Sequence, residues 1–333
     1  MLNLKRGKLK MLTAGIMLTL AMGLMTGCGG EKKEAAKKEK VSVGIVQIVE
    51  HAALDAASKG FVDGLAAKGF KEGENITFDR QNAQADQSNM HNIAHHFINN
   101  KVDLICAIST PAAQVVASAT QDIPIVATAV TDYKAAKLIK DNIKPGTNVT
   151  GTTDMNPVIE QLDFALKLVP GAKNIGTIYN SSEVNSQFQV EILKDAAKKK
   201  GVGIIEATVN NVNDIQQAAR SMLGKVDLIY VPTDNVLASA IPALAIITEE
   251  VNLPVICGDA GSVKSGGVAT FGIDYYKLGV QTGGMAADIL SGKSKPAEMP
   301  IQAQTEFNIV INEDNAKKIG LTIPEDVLKK AVK

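Results

Sequence analysis

The residues able to do chemistry in this chain stand in short clusters, each directly after an apolar run. They are Glu50 and Asp55, Ser109 and Thr110, Thr131 and Asp132, then Tyr179, Asn180, Ser181, Ser182 and Asn185, and finally Thr233, Asp234, Asn235 and Asp259. Each of these types alone has an ordinary use in turns and helix caps. As a set they suit a zwitterion. Hydroxyls with unpaired amides at helix starts, as at Ser109-Thr110 and Ser181-Ser182, suit a carboxylate, because helix N-termini attract anions. The acids Glu50, Asp132, Asp234 and Asp259 suit an ammonium through charge-assisted hydrogen bonds, and the sequence leaves open which of them would meet it. No Arg lies in these clusters, since Arg80 and Arg220 fall in a strand-like and a helix-like stretch. That argues against phosphate or a dicarboxylate. Apolar surface for the rest of such a solute is expected from Ile48, Val49, Tyr179, Val231 and Tyr275.

Other chemistries find less support. His91 and His95 lie four apart on one helical face with His96 beside them, and two such imidazoles can share a metal. No carboxylate or thiol follows at ligand spacing, so a solvated helical face is expected, and His51 is expected to bond a neighbour. There is no GxSxG, HExxH or GxxxxGK[ST], and no Cys with a plausible His partner. Neither an enzyme nor a cofactor is expected. Gly266-Gly267 and Gly283-Gly284 read as turns or close helix packing. Cys106 and Cys257 each end an apolar run and read as buried thiols, with an interdomain disulfide as the alternative. The chain carries 35 basic and 35 acidic residues and lacks a basic patch with interleaved aromatics, which argues against nucleic acid as a partner.

The elements that must position these clusters repeat once along the chain. Lys101-Val102-Asp103-Leu104-Ile105 is echoed by Lys225-Val226-Asp227-Leu228-Ile229, an offset of 226 − 102 = 124. Ile123-Pro124-Ile125-Val126 is echoed by Leu253-Pro254-Val255-Ile256, and Val43-Gly44-Ile45-Val46 by Ile175-Gly176-Thr177-Ile178. Within each copy, apolar runs alternate with helical patterns. In the first copy VSVGIVQI, ITFDRQN, VDLICAIS and IPIVATAV read as strands, with helices over residues 54–68, around 90–98 and from Thr110-Pro111. KNIGTIY, GIIEATV, VDLIYVP and LPVICGD follow in the second. Strands that are apolar throughout, separated by helices, predict a parallel sheet covered on both faces. The fold class is therefore α/β, with two doubly wound parallel sheets side by side, joined near residues 151–157 and 272–276. Ligands in such sheets bind beyond the carboxyl ends of the strands, where the polar clusters fall.

The first residues bear on location. A basic head, an uncharged apolar stretch over residues 11–25 and Met25-Thr26-Gly27-Cys28 have the order of a secretory signal. The apolar run falls short of the 20 or so residues a bilayer span needs. It resembles a bacterial lipoprotein leader, which implies removal of residues 1–27 and lipidation of Cys28. Acyl chains would then hold the protein to the membrane, outside the cytoplasm. Residues 28–40, with GGEKKEAAKKEK after the cysteine, cannot bury a core and read as a charged tether.

The segments NAQADQSN (82–89), KVDLICAISTPAAQ (101–114), IPIVATAVTD (123–132), NVTGTTD (148–154) and PVICGD (254–259) resemble the substrate-binding proteins of ABC transporters, in a family with members that bind tryptophan or other aromatic amino acids. The resemblance spans about residues 41–315. It implies a class I periplasmic-binding-protein-like fold that closes like a hinge on a small solute, an amino acid in the first instance. It also implies two partners, a membrane permease and its cytoplasmic ATPase, with no enzymatic step. By the family pattern one domain comprises 41–153 plus 275–300 and the other 156–272 plus 305–333, with a third crossing near 298–304. The loop QIVEHAALD departs from the QIVEHPALD of relatives, and Ala52 in place of Pro is expected to loosen Glu50 and Asp55. A ligand-sensing receptor, or a nucleoside or sugar as solute, remain the alternatives. Asp259→Ala or Asp234→Ala is expected to weaken binding by more than about tenfold, with the ligand-free melting temperature hardly moved.

Overall fold

The computed structural model describes residues 40–332; the leader, Cys28 and nearly all of the tether lie outside the described residues. The apolar runs form strands where expected. In the first lobe these are β1 (Val41–Gln47), β2 (Ile76–Asn82), β3 (Leu104–Ile108) and β4 (Ile125–Val130), with α1 (Ala52–Ala67), α2 (Gln87–Asn99) and α3 (Thr110–Ala119) between them. A further strand, β5 (Val149–Thr153), was not legible as one, because VTGTT is short and lacks a run of large apolar residues. The second lobe contains α4 (Val158–Leu168), β6 (Asn174–Asn180), α5 (Val184–Lys200), β7 (Gly203–Val209), α6 (Ile215–Met222), β8 (Leu228–Val231), α7 (Asn235–Ser239), α8 (Ile241–Glu249), β9 (Val255–Cys257), α9 (Ala260–Lys264) and β10 (Ala269–Gly272). The chain ends with α10 (Tyr275–Leu290), β11 (Gln302–Ala303), β12 (Asn308–Ile311), α11 (Glu313–Lys318) and α12 (Glu325–Leu328).

There are two six-stranded sheets, ordered β11-β5-β4-β3-β1-β2 and β12-β10-β9-β8-β6-β7. The two orders correspond strand for strand, as the repeated sequence requires. All pairings are parallel except β10 with β12, an antiparallel edge that the sequence reading did not foresee. The repeat has a physical basis at particular residues. Asp103 accepts a hydrogen bond from Ser42 N at 2.7 Å, and Asp227 accepts from Lys173 N and Asn174 N at 2.7 and 2.9 Å. The same aspartate thus pins the start of the first strand in each lobe. Gly44 and Gly176 are equivalent too: a Cβ on them would meet the Phe97 ring at 2.8 Å and Met222 Sδ at 2.7 Å. Each lets a helix side chain rest directly on the strand.

Each sheet is buried between helices, with its own apolar core on either face. Cys106 and Cys257 are buried and free, one in each sheet, and burial raises both thiols. The chain crosses between lobes at residues 154–157, 273–274 and 304–307, the last slightly beyond the expected 298–304. After the second crossing α10 returns to the first lobe and packs on α1 through glycines on both helices. A Cβ on Gly60 would lie 2.1 Å from Tyr276 O, and one on Gly279 would lie 2.0 Å from Ala57 O. Among the described residues no helix is long and apolar enough to cross a membrane.

Candidate functional site

The loops that end the strands of both lobes converge on a small chamber beside the crossings. His51, Ala53, Leu54 and Ala129 line it from the first lobe, Asp154 and Tyr275 from the crossings, and Asn185, Thr233, Asp234, Asn235 and Asp259 from the second lobe. Its volume is about 10 Å³, room for a single water-sized group. The lobes are in contact around it. A Cβ on Gly261 of α9 would stand 2.9 Å from Ala53 N and 3.0 Å from Ala52 Cβ of α1, so the cleft is closed.

Acids dominate this site. Asp154, Glu183, Asp234 and Asp259 are exposed by only 4%, 3%, 1% and 3%, and no Lys or Arg lines the chamber. Asp154 accepts from Thr131 Oγ1 at 2.8 Å and from Tyr275 OH at 2.7 Å, and burial raises its pKa. Glu183 lies behind Asn185 and Asn235. It accepts from Asn185 Nδ2 at 2.9 Å and, at 3.2 and 3.3 Å, from the N–H groups of Asn235 and Val236 at the start of α7. Burial, then the nearby Asp234 charge, pushes Glu183 up to about 8. Burial also raises Asp234 and holds the His51 imidazole below its ordinary pKa. Two chamber-lining polar atoms, His51 Nε2 and Asn185 Oδ1, are buried with no hydrogen-bond partner, and so is Thr110 Oγ1. The neighbour expected of His51 is Asn235, whose side chain hydrogen-bonds the imidazole, while Nε2 is left over. Such atoms are rare in folded proteins and call for a partner.

The clusters predicted from sequence divide into those the fold brings together and those it does not. Asn185, Thr233, Asp234, Asn235 and Asp259 meet at the chamber, while Thr131 contributes by holding Asp154. Asp259 caps α9, accepting from Ser262 N at 2.8 Å and Ser262 Oγ at 2.6 Å. Ser109 caps α3 through Ala112 N with φ at 105°, a strained backbone held at the end of β3. Glu50 and Asp55 are exposed and do not line the chamber; Asp55 accepts from Gln47 Nε2 at 3.0 Å. Asp132 closes its own turn through Ala135 N at 2.7 Å. Tyr179 points away from the cleft, because strand side chains alternate and its OH donates to Glu206 on β7 at 3.0 Å. Val231 is buried in the second lobe's core. Ser181-Ser182 does not start a helix. Ser182 N and Oγ both turn back to Asn180 Oδ1, so α5 begins two residues later with Glu183 at its cap.

The sequence did not single out as site residues Asp154 and His51, which line the chamber, or Glu183, which lies behind Asn185 and Asn235, although His51 and Glu183 fall within the post-strand loops 47–55 and 179–185. Asp154 falls in a crossing rather than after a recognised strand. Glu183 stood among serines and asparagines that read as a loop, although an acid just before a helical pattern was a usable signal. Among the described residues no group of three or more His, Cys, Asp or Glu is placed to hold a metal. His96 instead pairs with Asp79 at 2.6 Å.

A second, larger opening, a trough of about 770 Å³, runs outward from the same cleft between Ile48, Val49 and Met90 of the first lobe and Asn180, Ser182 and Val236 of the second.

Comparison with known proteins gives a consistent picture. Residues 42–333 match the family model described as ABC transporter substrate binding protein. The chain is 43% identical over 321 residues to a tyrosine-binding protein of Clostridioides difficile, covering 94% of this chain and 92% of that one. The structure resembles an ABC domain in complex with L-Trp from Streptococcus pneumoniae at a TM-score of 0.85 with 40% identity, over 88% of this chain and 99% of the other. A ligand-free, open substrate-binding protein with adhesive properties from Clostridium difficile is 45% identical over 87% of this chain and 98% of its own, yet superposes at a TM-score of only 0.67. The lobes here are thus arranged more as in the L-Trp complex than as in the open protein.

Proposed function

The chain belongs to the ABC transporter substrate-binding protein family, and on that premise we propose that it captures an aromatic amino acid, tyrosine or tryptophan, by closing its two lobes. It then hands the solute to a membrane permease driven by a cytoplasmic ATPase. In this reading residues 1–27 are a leader, lipidated Cys28 is the membrane anchor outside the cytoplasm, and residues 28–40 are the tether. The lobes divide as 41–153 plus 275–300 and 156–272 plus 305–333.

One observation carries the choice of an amino acid. A chamber the size of an ammonium group is enclosed by buried carboxylates with no Lys or Arg among its lining residues, and burial holds its one imidazole, His51, below the ordinary pKa. Buried charge without a counter-ion is costly, and an ammonium inserted there would be compensated at once by Asp154 and Asp259. The site residues of this reading are Asp154, Asn185, Thr233, Asp234, Asn235, Asp259, Tyr275 and His51, with Glu183 behind them. The relatives that bind tyrosine and L-Trp support an aromatic side chain.

Thermal-shift measurement with the twenty amino acids, their deaminated analogues, nucleosides and sugars tests this. Tyrosine or tryptophan should raise the melting temperature, and the same acids lacking the ammonium should not. Stabilisation by sugars or nucleosides alone would show the reading to be wrong. Asp259→Asn retains a helix-capping oxygen but removes the charge. Since a charge-assisted hydrogen bond contributes roughly 1.5–3 kcal/mol, it should weaken amino-acid binding about tenfold or more while the ligand-free melting temperature stays in place.

A further inference from the structure

Two atoms of residues lining the chamber, Asn185 Oδ1 and His51 Nε2, are buried without a partner, and one acid behind them decides what each can offer a solute. An amide or a neutral imidazole presents either a lone pair or an N–H, depending on what holds its other end. Asn185 Nδ2 donates to Thr233 O and to Glu183 Oε2, each at 2.9 Å, so its oxygen is the atom left over. Asn235 Nδ2 donates to the same Glu183 oxygen at 2.5 Å. The Asn235 oxygen is then free to accept from the His51 imidazole, which hydrogen-bonds this side chain.

The relay continues through the ring. Nε2 has no partner, so the imidazole meets Asn235 through Nδ1, and burial favours the neutral ring by lowering its pKa. A neutral imidazole that donates from Nδ1 carries a bare lone pair on Nε2. Glu183 is the fixed point of this chain. Its other oxygen accepts from Asn235 N and Val236 N at 3.2 and 3.3 Å, and backbone N–H groups cannot turn round. Every group hydrogen-bonded to the carboxylate is a donor, the pattern of the ionised acid; a proton on it would be given to an amide and turn that amide about. Asp234 is the charged group beside it, with His51, Asp154 and Asp259 around the chamber beyond the amides.

We propose that Glu183 is a positioning residue for ammonium recognition: it holds the Asn235 amide, Asn235 sets the His51 tautomer, and the chamber thereby presents lone pairs at Asn185 Oδ1 and His51 Nε2. This rests on the amino-acid reading above. Glu183 itself touches no solute. Its effect is discrimination, because an ammonium brings only N–H donors to the two lone pairs, whereas a hydroxyl in its place can donate once and leaves one of them unpaired. A buried polar atom left unpaired penalises the solute that fails to meet it.

Glu183→Gln tests the relay at constant shape. The new amide must keep its oxygen on the two backbone N–H groups, so its NH₂ faces Asn235, which turns about and moves the His51 proton to Nε2; Asn185 stays with Thr233 O. Nitrogen NMR of the ligand-free full chain, labelled at its four histidines, reads the tautomer directly at about pH 9, above the Glu183 pKa of about 8. His51→Gln identifies the His51 signals. The wild type should carry the proton on Nδ1, and Glu183→Gln on Nε2. Calorimetric titration with L-tyrosine, L-tryptophan and their α-hydroxy analogues gives the consequence. The variant should lose about tenfold or more for the amino acids and hold or gain affinity for the hydroxy acids, with a cooperative melt showing that it is folded. Wild-type affinity for the amino acids should weaken as pH falls below about 8, by up to about tenfold per unit, with a shallower slope in the variant. A wild type with its His51 proton on Nε2 overturns the relay without any variant. An unchanged tautomer, an unchanged pH slope, or equal loss of amino and hydroxy acids in Glu183→Gln would each do the same. A wild type that shows the Nδ1 proton yet binds no amino acid would instead remove the reading beneath it.

Discussion

Both carboxylate oxygens of Asp234 are engaged inside the second lobe, one by Leu237 N at 2.9 Å and the other by Asn180 N and Ser186 Oγ, each at 2.7 Å. The residue caps α7 and ties it to β6 and α5. Asp234→Ala should therefore destabilise the ligand-free protein by roughly 1–3 kcal/mol, which revises the expectation that its melting temperature would hold. Differential scanning calorimetry without ligand decides between the two. Glu183 gives the site a pH dependence of definite sign. Its pKa rises from 4.5 in the unfolded chain to about 8 in the fold, so the folded state holds a proton that the unfolded state has lost between those values. Its contribution is fully present below pH 4.5 and disappears as pH climbs towards 8, by at most about 1.4 kcal/mol per unit. Melting curves of the ligand-free protein should show this fall and Glu183→Gln should flatten it; an unchanged slope in the variant would assign the effect elsewhere.

At the scale of elements, the α1–α10 contact is built on glycine. A Cβ on Gly279 would lie 2.0 Å from Ala57 O, whereas at neighbouring Gly284 the nearest atom is the mobile end of Lys68 at 3.8 Å. Gly279→Ala should lower the melting temperature by roughly 5 °C or more through overpacking. Gly284→Ala should leave it unchanged or slightly higher, since alanine favours a helix. Equal effects at the two positions would refute the close-contact account. The sequence identified Gly283-Gly284 as turn or packing glycines, but only the packed structure separates them: a Cβ on Gly283 would lie 2.3 Å from Phe61 O of α1, while Gly284 is open. Strand recognition had a similar limit. Apolar runs such as LICAI and IVATAV were legible because both faces are buried, while VTGTT in β5 and ATFG in β10 owe their strand state to neighbours already in the sheet. Tyr179 illustrates the period of two: a residue can end a correctly read strand and still face away from the site.

At the scale of the whole molecule, closure brings α9 against the start of α1 with no room for a side chain at Gly261. Gly261→Val should hold the lobes apart. Small-angle scattering should then show little compaction on adding tyrosine, with weaker binding and an unaltered ligand-free melting temperature, because a solute shifts the open–closed balance only by its preference for the closed form. Full compaction in the variant would place the closing contact elsewhere. The sequence by itself determined the α/β class, the duplicated unit and the strand ends at which polar residues collect, because hydrophobic periodicity and turn chemistry act over a few neighbouring residues. Only the tertiary structure decided which of those polar residues face one another. Asp259 and Asn185 meet His51 and Asp154 across the cleft, while Glu50, Asp132 and Tyr179 turn elsewhere, since side-chain direction depends on pleat, helix phase and the relative placement of two sheets more than a hundred residues apart in the chain.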